Sequence, residues 1–182
     1  PGWIGWMRRS SPDVSIQSEI GFEEDLMRRL VEGTLDVGLM YTPHQSPGLV
    51  VEHLFDETLV LVSTRNDLRW PGEDYVYVDW GPGFFAKHRE YYPDLERPGQ
   101  TVNIGWLGVQ LILANGGSCF LPLRMARPLL DAGRLFLANA GPEIPHPAYM
   151  VMPREAESDI LREALRGLRE FAREEQENAS AG

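Results

Sequence analysis

The sequence predicts an α/β fold in two similarly built halves, and three observations indicate it. Helix-like and strand-like segments alternate in both halves, apolar residues recur at the spacing of each, and glycines stand at the turns between them. The chain has 182 residues, 43% of them hydrophobic, which is enough to bury a core in one domain or in two small lobes. We therefore expect two lobes with a cleft between them.

In the first half of the chain, short helix-like and strand-like segments alternate. Its pattern predicts, in order, a helix over 3–9, a strand over 14–20, a helix over 22–32 and a strand over 35–41. Gly33 follows the apolar-periodic end of the second helix, where glycine commonly forms a left-handed cap. In open α/β sheets ligands bind beyond the carboxyl ends of strands. The loop 42–48, which follows the second strand, is therefore a predicted binding segment.

The second half repeats this style after two strand-like runs, 49–55 and 58–63, which the polar pair Asp56 and Glu57 separates. The turn-rich stretch RNDLRWPGED predicts a boundary between lobes. Beyond it, the sequence predicts a strand in YVYVDW, a turn and helix in GPGFFAKHREYY, and a strand, helix, glycine turn and strand in TVNIGWLGVQLILANGGSCFLP. RLFLAN and AYMVMP predict two further strands, and an apolar stripe over 160–172 predicts a closing helix. The predicted limits are a first lobe over 1–64, a second lobe over 65–138, a return to the first lobe over 139–176 and a frayed tail over 177–182.

Charge and cysteine content narrow the classes of function. A net charge of −10 disfavours unaided binding to nucleic acid or to anionic membranes, which requires clustered Lys and Arg. The single cysteine, Cys119, excludes an internal disulfide, and no apolar stretch is long enough to span a bilayer. A cytoplasmic setting without membrane contact is the expectation. Because the chain starts at Pro1 without a methionine, we expect it to be a piece of something longer.

The side chains that carry chemistry show no catalytic or metal-binding spacing. The four histidines, His44, His53, His88 and His146, are far apart in sequence and are interpreted as scattered surface residues, so neither a metal nor a cofactor is expected. Ser118 in GGSC does not fit a nucleophile elbow, because it precedes a strand and the G-x-S-x-G pattern is not met. Cys119 is interpreted as a small core residue, and the acidic run Glu23 to Asp25 as stabilising the helix dipole. We expect no enzyme activity.

The candidate binding residues stand at the ends of predicted strands, where they would face a cleft. They are Gly21, Phe22, Tyr41 and Thr42 in the first lobe, and Trp80, Gly81, Pro82, Gly105, Trp106, Phe120 and Pro122 in the second. Backbone N–H groups at Gly21 and Phe22 could meet an anion, or could simply start a helix. Tyr41 and Trp80 could contact a ligand or fill the core. Aromatic side chains recur in the set, which favours a small organic ligand over a metal ion.

Three segments resemble, in order and spacing, the C-terminal effector-binding domain of the LysR-type transcriptional regulators. SPDVSIQSEIGFEEDLMRRLVEGTLDVGLMY resembles that family's strand, loop, helix and G-x-L-D strand. FDETLVLVSTRNDL is similar to its hinge-strand segment, and VQLILANGGSCFLPLRMA to its helix followed by a glycine turn and an L-P pair. The resemblance covers the chain from about Pro1 to Phe171.

The resemblance implies a fold like the type II periplasmic binding proteins, with two Rossmann-like lobes, a cleft, and hinge strands near 58–63 and 135–152. The family's first strand, linker helix and winged helix-turn-helix do not appear in this sequence. It further implies a small-molecule effector, a homodimer or tetramer, and DNA contact only through an upstream helix-turn-helix. The helix over 22–32 itself carries a wide apolar stripe, from which Met27 could face a partner or be buried within its own lobe. A solute-binding protein of the same fold, serving transport, is the alternative.

Overall fold

The computed structural model describes residues 2–67, 71–95, 99–139, 141–155 and 158–180. In chain order, the elements are α1 (Gly2–Ser10), α2 (Glu23–Val31), β1 (Gly38–Met40), β2 (Leu49–Ser63), β3 (Val76–Val78), α3 (Pro82–Tyr91), β4 (Gln100–Val102), α4 (Gly105–Asn115), β5 (Ser118–Pro122), α5 (Leu123–Asp131), β6 (Phe136–Leu137), β7 (Ile144–Pro153) and α6 (Asp159–Ser180). The predicted α/β class is confirmed.

The chain divides into two compact units. Unit 1 consists of Pro1–Asp56 and Pro147–Gly182, and unit 2 consists of Glu57–His146. Both divisions fall inside long strands, the first in β2 and the second in β7. The limits predicted from the sequence lie after residues 64 and 138, the first of them at the start of the turn-rich stretch RNDLRWPGED. Two continuous strands therefore carry the chain from one unit to the other and back.

In unit 1, a sheet lies between helices. β1 pairs antiparallel with β7, Gly38 standing opposite Val151, and β7 is next to β2. Val151 packs in one cluster with Met27 and Leu30 of α2, whereas its neighbours Met150 and Met152 pack with residues of α6. Successive side chains of a strand point to opposite faces, so α2 and α6 cover the two faces of the same sheet. α1 is tied to α6 by the Trp3 indole N–H, which donates to the Ala164 carbonyl at 3.1 Å.

Unit 2 has the same layering. The second part of β2 pairs antiparallel with β5, Leu61 standing opposite Phe120, and β3 and β4 form a parallel pair. Val60 and Val62 of β2 pack in a cluster that includes Val109 and Ile112 of α4. The alternate residues, Leu59 and Leu61, pack in a second cluster with Phe84 of α3. Helices therefore lie on both faces of this unit's sheet as well.

The predicted turn from the second helix into the following strand is confirmed. Gly33 has φ +71°, the left-handed region that favours glycine. Its N–H donates to Leu30 O at 3.3 Å, and the Thr34 N–H donates to Arg29 O at 3.0 Å, the pair of bonds that defines a Schellman cap. The strand that follows is shorter than predicted, because only Gly38–Met40 pairs with β7.

Two predictions about strands are wrong, and two helices differ from what the sequence predicted. Segment 14–20 forms no strand, since its alternating residues have no described strand beside them and an isolated strand has nothing to pair with. The runs 49–55 and 58–63 are one strand, because Asp56 points to solvent and Glu57 is accommodated within β2. Helix α5 was not predicted, since it contains Pro128, and proline removes a helical donor. Helix α6 also extends to Ser180, past the start of the predicted frayed tail.

One edge of β2 is covered by a side chain. β5 and β6 pair only with Leu59–Ser63, so β7 is the sole described strand beside the first part of β2. On the other edge, the Asp56 N–H donates to Oε1 of Gln176 in α6 at 2.9 Å. The end of α6 thus satisfies a strand-edge donor that no described strand reaches.

Candidate functional site

In unit 1, the side chain of Glu23 joins the start of α2 to the end of β1. Its carboxylate accepts hydrogen bonds from the N–H groups of Tyr41, at 2.7 Å, and Thr42, at 3.0 Å. The Thr42 hydroxyl donates to the second carboxylate oxygen. Three donors therefore converge on one carboxylate directly after the carboxyl end of a strand. The prediction that Glu23 serves only the helix dipole was too narrow.

The two other predicted residues of this unit precede α2. Gly21 and Phe22 are both exposed, and the Phe22 ring is 72% accessible to solvent. Phe22 provides no side-chain cap to the helix. Tyr41 is half-buried and Thr42 is exposed. The structure therefore brings Tyr41 and Thr42 together with the start of α2 through Glu23, and leaves an aromatic ring at the surface beside them.

In unit 2, Trp80 is the centre of the predicted set. Its indole N–H donates to the Phe120 carbonyl at 2.9 Å, and its ring and that of His146 form a T-shaped pair, with ring centroids 5.9 Å apart. A Cβ added to Gly105 would lie 2.4 Å from Cη2 of Trp80, so this glycine permits the indole to pack closely on the start of α4. Trp80, Gly105 and Phe120 are thus brought together, with Trp80 held in one orientation.

The remaining predicted residues of unit 2 lie at helix starts and at the end of β5. Gly81, with φ +94°, precedes Pro82 at the first position of α3, and its N–H donates to the Asp79 carboxylate at 3.0 Å. Trp106, in the first turn of α4, is 63% exposed. Phe120 and Pro122 are buried in β5. Of these residues, Trp106 offers the largest exposed aromatic surface.

Two histidines expected at the surface are buried, which corrects that prediction. His88 and His146 are each 5% exposed. His88 Nε2 lies 2.9 Å from the Tyr75 hydroxyl, and its ring contacts Tyr77, Phe84, Tyr92 and Phe120. Burial lowers the pKa of His88 to about 4 and raises the pKa values of Tyr77 and Tyr92 to about 12. His88 is therefore a neutral member of an aromatic cluster at physiological pH.

Two further reactive side chains, Cys119 and Ser118, are buried. Cys119 is fully buried, and burial raises the pKa of its thiol to about 12, which keeps it protonated. Ser118 is fully buried as well, so its hydroxyl is not presented to a substrate. Within the described ranges, no group of three or more His, Cys, Asp or Glu side chains is placed to hold a metal ion. None of the described helices is both long and apolar enough to cross a lipid bilayer.

Two residues of these clusters were missed by sequence reasoning. Glu23 meets donors 18 and 19 residues later, so its role depends on how α2 packs against the end of β1. His146 lies against Trp80, and no local motif connects the two. For His88 a signal was available: Phe84, His88 and Tyr92 recur every four residues, the spacing of one helix face.

Comparison with known proteins agrees with this architecture. A family model described as the LysR substrate binding domain matches residues 1–177. No protein of curated function matches the sequence. Among solved structures, the bromide-bound regulatory domain of HypT from Salmonella typhimurium has a TM-score of 0.76 at 18% identity, covering 94% of this chain and 89% of that one.

Two full-length regulators have the same fold over part of their length. CbnR, complexed with its target DNA, gives a TM-score of 0.70 at 18% identity, covering 94% of this chain and 65% of CbnR. LysG from Corynebacterium glutamicum, with bound effector Arg, gives 0.70 at 19% identity, covering 93% of this chain and 63% of LysG. The family match, over nearly the whole chain, shows that the protein belongs to the LysR substrate-binding domain family.

Proposed function

We propose that this chain is the effector-sensing domain of a LysR-type transcriptional regulator and binds a small organic molecule between its two lobes. The observation that carries the proposal is the family match over residues 1–177. The four predicted residues of unit 1 and the seven of unit 2 would supply the contacts. The exposed rings of Phe22 and Trp106 suit an apolar or aromatic part of the effector.

Control of transcription would follow from a shift between two conformations. A ligand moves such an equilibrium only through its different affinities for the two states. β2 and β7, which carry the chain from one unit to the other, are the candidate hinges. The effector would thereby change the placement of a DNA-binding domain that precedes this chain. No cofactor is required for this mechanism.

A ligand screen tests the effector site. Metabolites would be screened by thermal shift on this chain, and the affinity of each hit would then be measured by calorimetry. Phe22→Ala and Trp106→Ala should weaken binding by about tenfold or more, because each removes a desolvated aromatic contact. The control is Tyr91→Ala at the other end of α3, where a 45% exposed ring lies outside the predicted set. The proposed site would be contradicted by a ligand whose affinity falls in Tyr91→Ala but in neither Phe22→Ala nor Trp106→Ala.

The partners form part of the same proposal. With a net charge of −10, the chain alone should not shift duplex DNA at physiological salt, and DNA contact would require an upstream helix-turn-helix.

We propose a homodimer or tetramer, located in the cytoplasm. Met27 is 2% exposed and packs inside unit 1, which corrects its suggested role in a dimer contact, whereas Val31 of the same helix is 58% exposed. Sedimentation at micromolar concentration decides the oligomeric state, and a persistent monomer would contradict it.

The alternative, a solute-binding protein that serves transport, has the same fold. The matched structures described above are regulators, including one on its target DNA, which favours the sensing role. Reading the gene upstream of Pro1 separates the two. A helix-turn-helix and linker helix there supports regulation, and a signal peptide supports transport.

A further inference from the structure

The hydrogen-bond donors that follow β1 are arranged to bind an anion, and a side chain of the protein already occupies them. Two adjacent backbone N–H groups, from Tyr41 and Thr42, and the Thr42 hydroxyl all donate to the Glu23 carboxylate. Hydrogen bonds to an ionised acceptor are stronger than those between neutral groups. These donors therefore bind a carboxylate, which is the side chain of Glu23.

The charges around Glu23 do not neutralise it. Arg28 of α2 pairs with Asp25 and Glu32, and Arg29 pairs with Glu19. Among the described contacts, Glu23 has no cationic partner, so its negative charge is stabilised by N–H and O–H dipoles and the start of α2. A second anion brought to this place would meet both an occupied set of donors and a like charge.

We propose that Glu23 is a specificity-determining residue that bars anionic groups from the end of β1. While Glu23 occupies the three donors, an effector meets this part of unit 1 with a neutral or cationic group. Removal of the Glu23 charge converts the same donors into a site for small carboxylates. The link to an effector rests on the proposed function, whereas the carboxylate site depends only on the contacts of Glu23.

The test uses acetate as the probe and the whole chain as the protein. Acetate is titrated into the wild type, Glu23→Ala and Glu24→Ala, and the backbone amide signals of Tyr41 and Thr42 are followed by NMR. Glu24 is the matched control, because it follows Glu23 in the same first turn and is exposed. Acetate should shift both signals saturably in Glu23→Ala, with an affinity at least about tenfold higher than in the other two proteins.

The second variant is Glu23→Gln, whose side-chain carbonyl still accepts from the two amides and so preserves the end of β1 if the alanine variant does not fold. Acetate should bind this variant more tightly than the wild type, because the like charge is gone. Equal acetate affinity in the wild type and both variants overturns the proposal, as does a folded variant that binds no acetate. If the variants bind acetate but no effector binds to the wild type, the proposed function fails, whereas the exclusion of anions by Glu23 is still supported.

Discussion

The buried carboxylate of Glu57 in β2 accepts a hydrogen bond from Nε of Arg124 in α5 at 2.8 Å. Only 4% of the Glu57 side chain is exposed, against 46% of Arg124. Removing the arginine would leave a buried charge without this donor, which is more costly than losing an exposed ion pair. Arg124→Met should therefore lower the free energy of unfolding by about 2 kcal/mol in urea denaturation. Arg127→Met, at an exposed position of the same helix, should change it by less than about 0.5 kcal/mol, and equal effects would contradict the prediction.

His88 should make stability depend on pH. Burial lowers its pKa to about 4 from the ordinary value of 6.5, so between these values the unfolded chain binds a proton that the folded chain does not. Stability should fall as the pH drops from 6.5 towards 4, with a contribution of up to about 1.4 kcal/mol per pH unit. His88→Phe should remove this contribution from the slope of unfolding free energy against pH.

The matched control for His88 is His44→Gln, which alters an exposed histidine. Carboxylates also titrate in this range, so the informative quantity is the difference in slope between each variant and the wild type. Identical slopes for His88→Phe and the wild type would show that burial does not suppress protonation of His88.

Gly105 should tolerate no side chain. An alanine Cβ would lie 2.4 Å from Cη2 of Trp80, whose indole is fixed by its bond to the Phe120 carbonyl. Gly105→Ala should displace the indole, lower the free energy of unfolding by about 1 to 3 kcal/mol and shift the Trp80 indole N–H signal in NMR spectra. Gly83→Ala is the control, because nothing lies within 4 Å of the added carbon and alanine favours a helix. Unchanged stability and an unchanged indole signal in Gly105→Ala would contradict the packing described.

The effect of a substitution at Gly33 on stability should depend only on the backbone conformation at this residue. Nothing lies within 4 Å of an added Cβ, but φ is +71°, which costs an ordinary residue on the order of 1 kcal/mol. Gly33→Ala should therefore lower the melting temperature, as measured by circular dichroism. Gly33→Asn should lower it less, because asparagine tolerates the left-handed region. A larger loss for asparagine than for alanine would indicate a cause other than φ.

The parts of the fold that follow from local chemistry were predictable from sequence. The cap at Gly33 depends on residues within one turn, and the apolar spacing of α6 is set by its own sequence. Segment 14–20 shows the limit, because alternation alone does not supply a neighbouring strand. The candidate residues show the same division: the helix that begins near Phe22 was predicted from its apolar spacing, whereas the bonds between Glu23 and Tyr41 depend on tertiary packing.

The bond between Gln176 and the Asp56 N–H has a consequence for solubility. An uncovered strand edge is a template on which another chain can add a strand. We therefore expect the end of α6 to hinder edge-to-edge pairing at this strand, in addition to packing its apolar face on the sheet. A chain cut just before Gln176 should keep its core residues yet scatter more light at high concentration than the intact one.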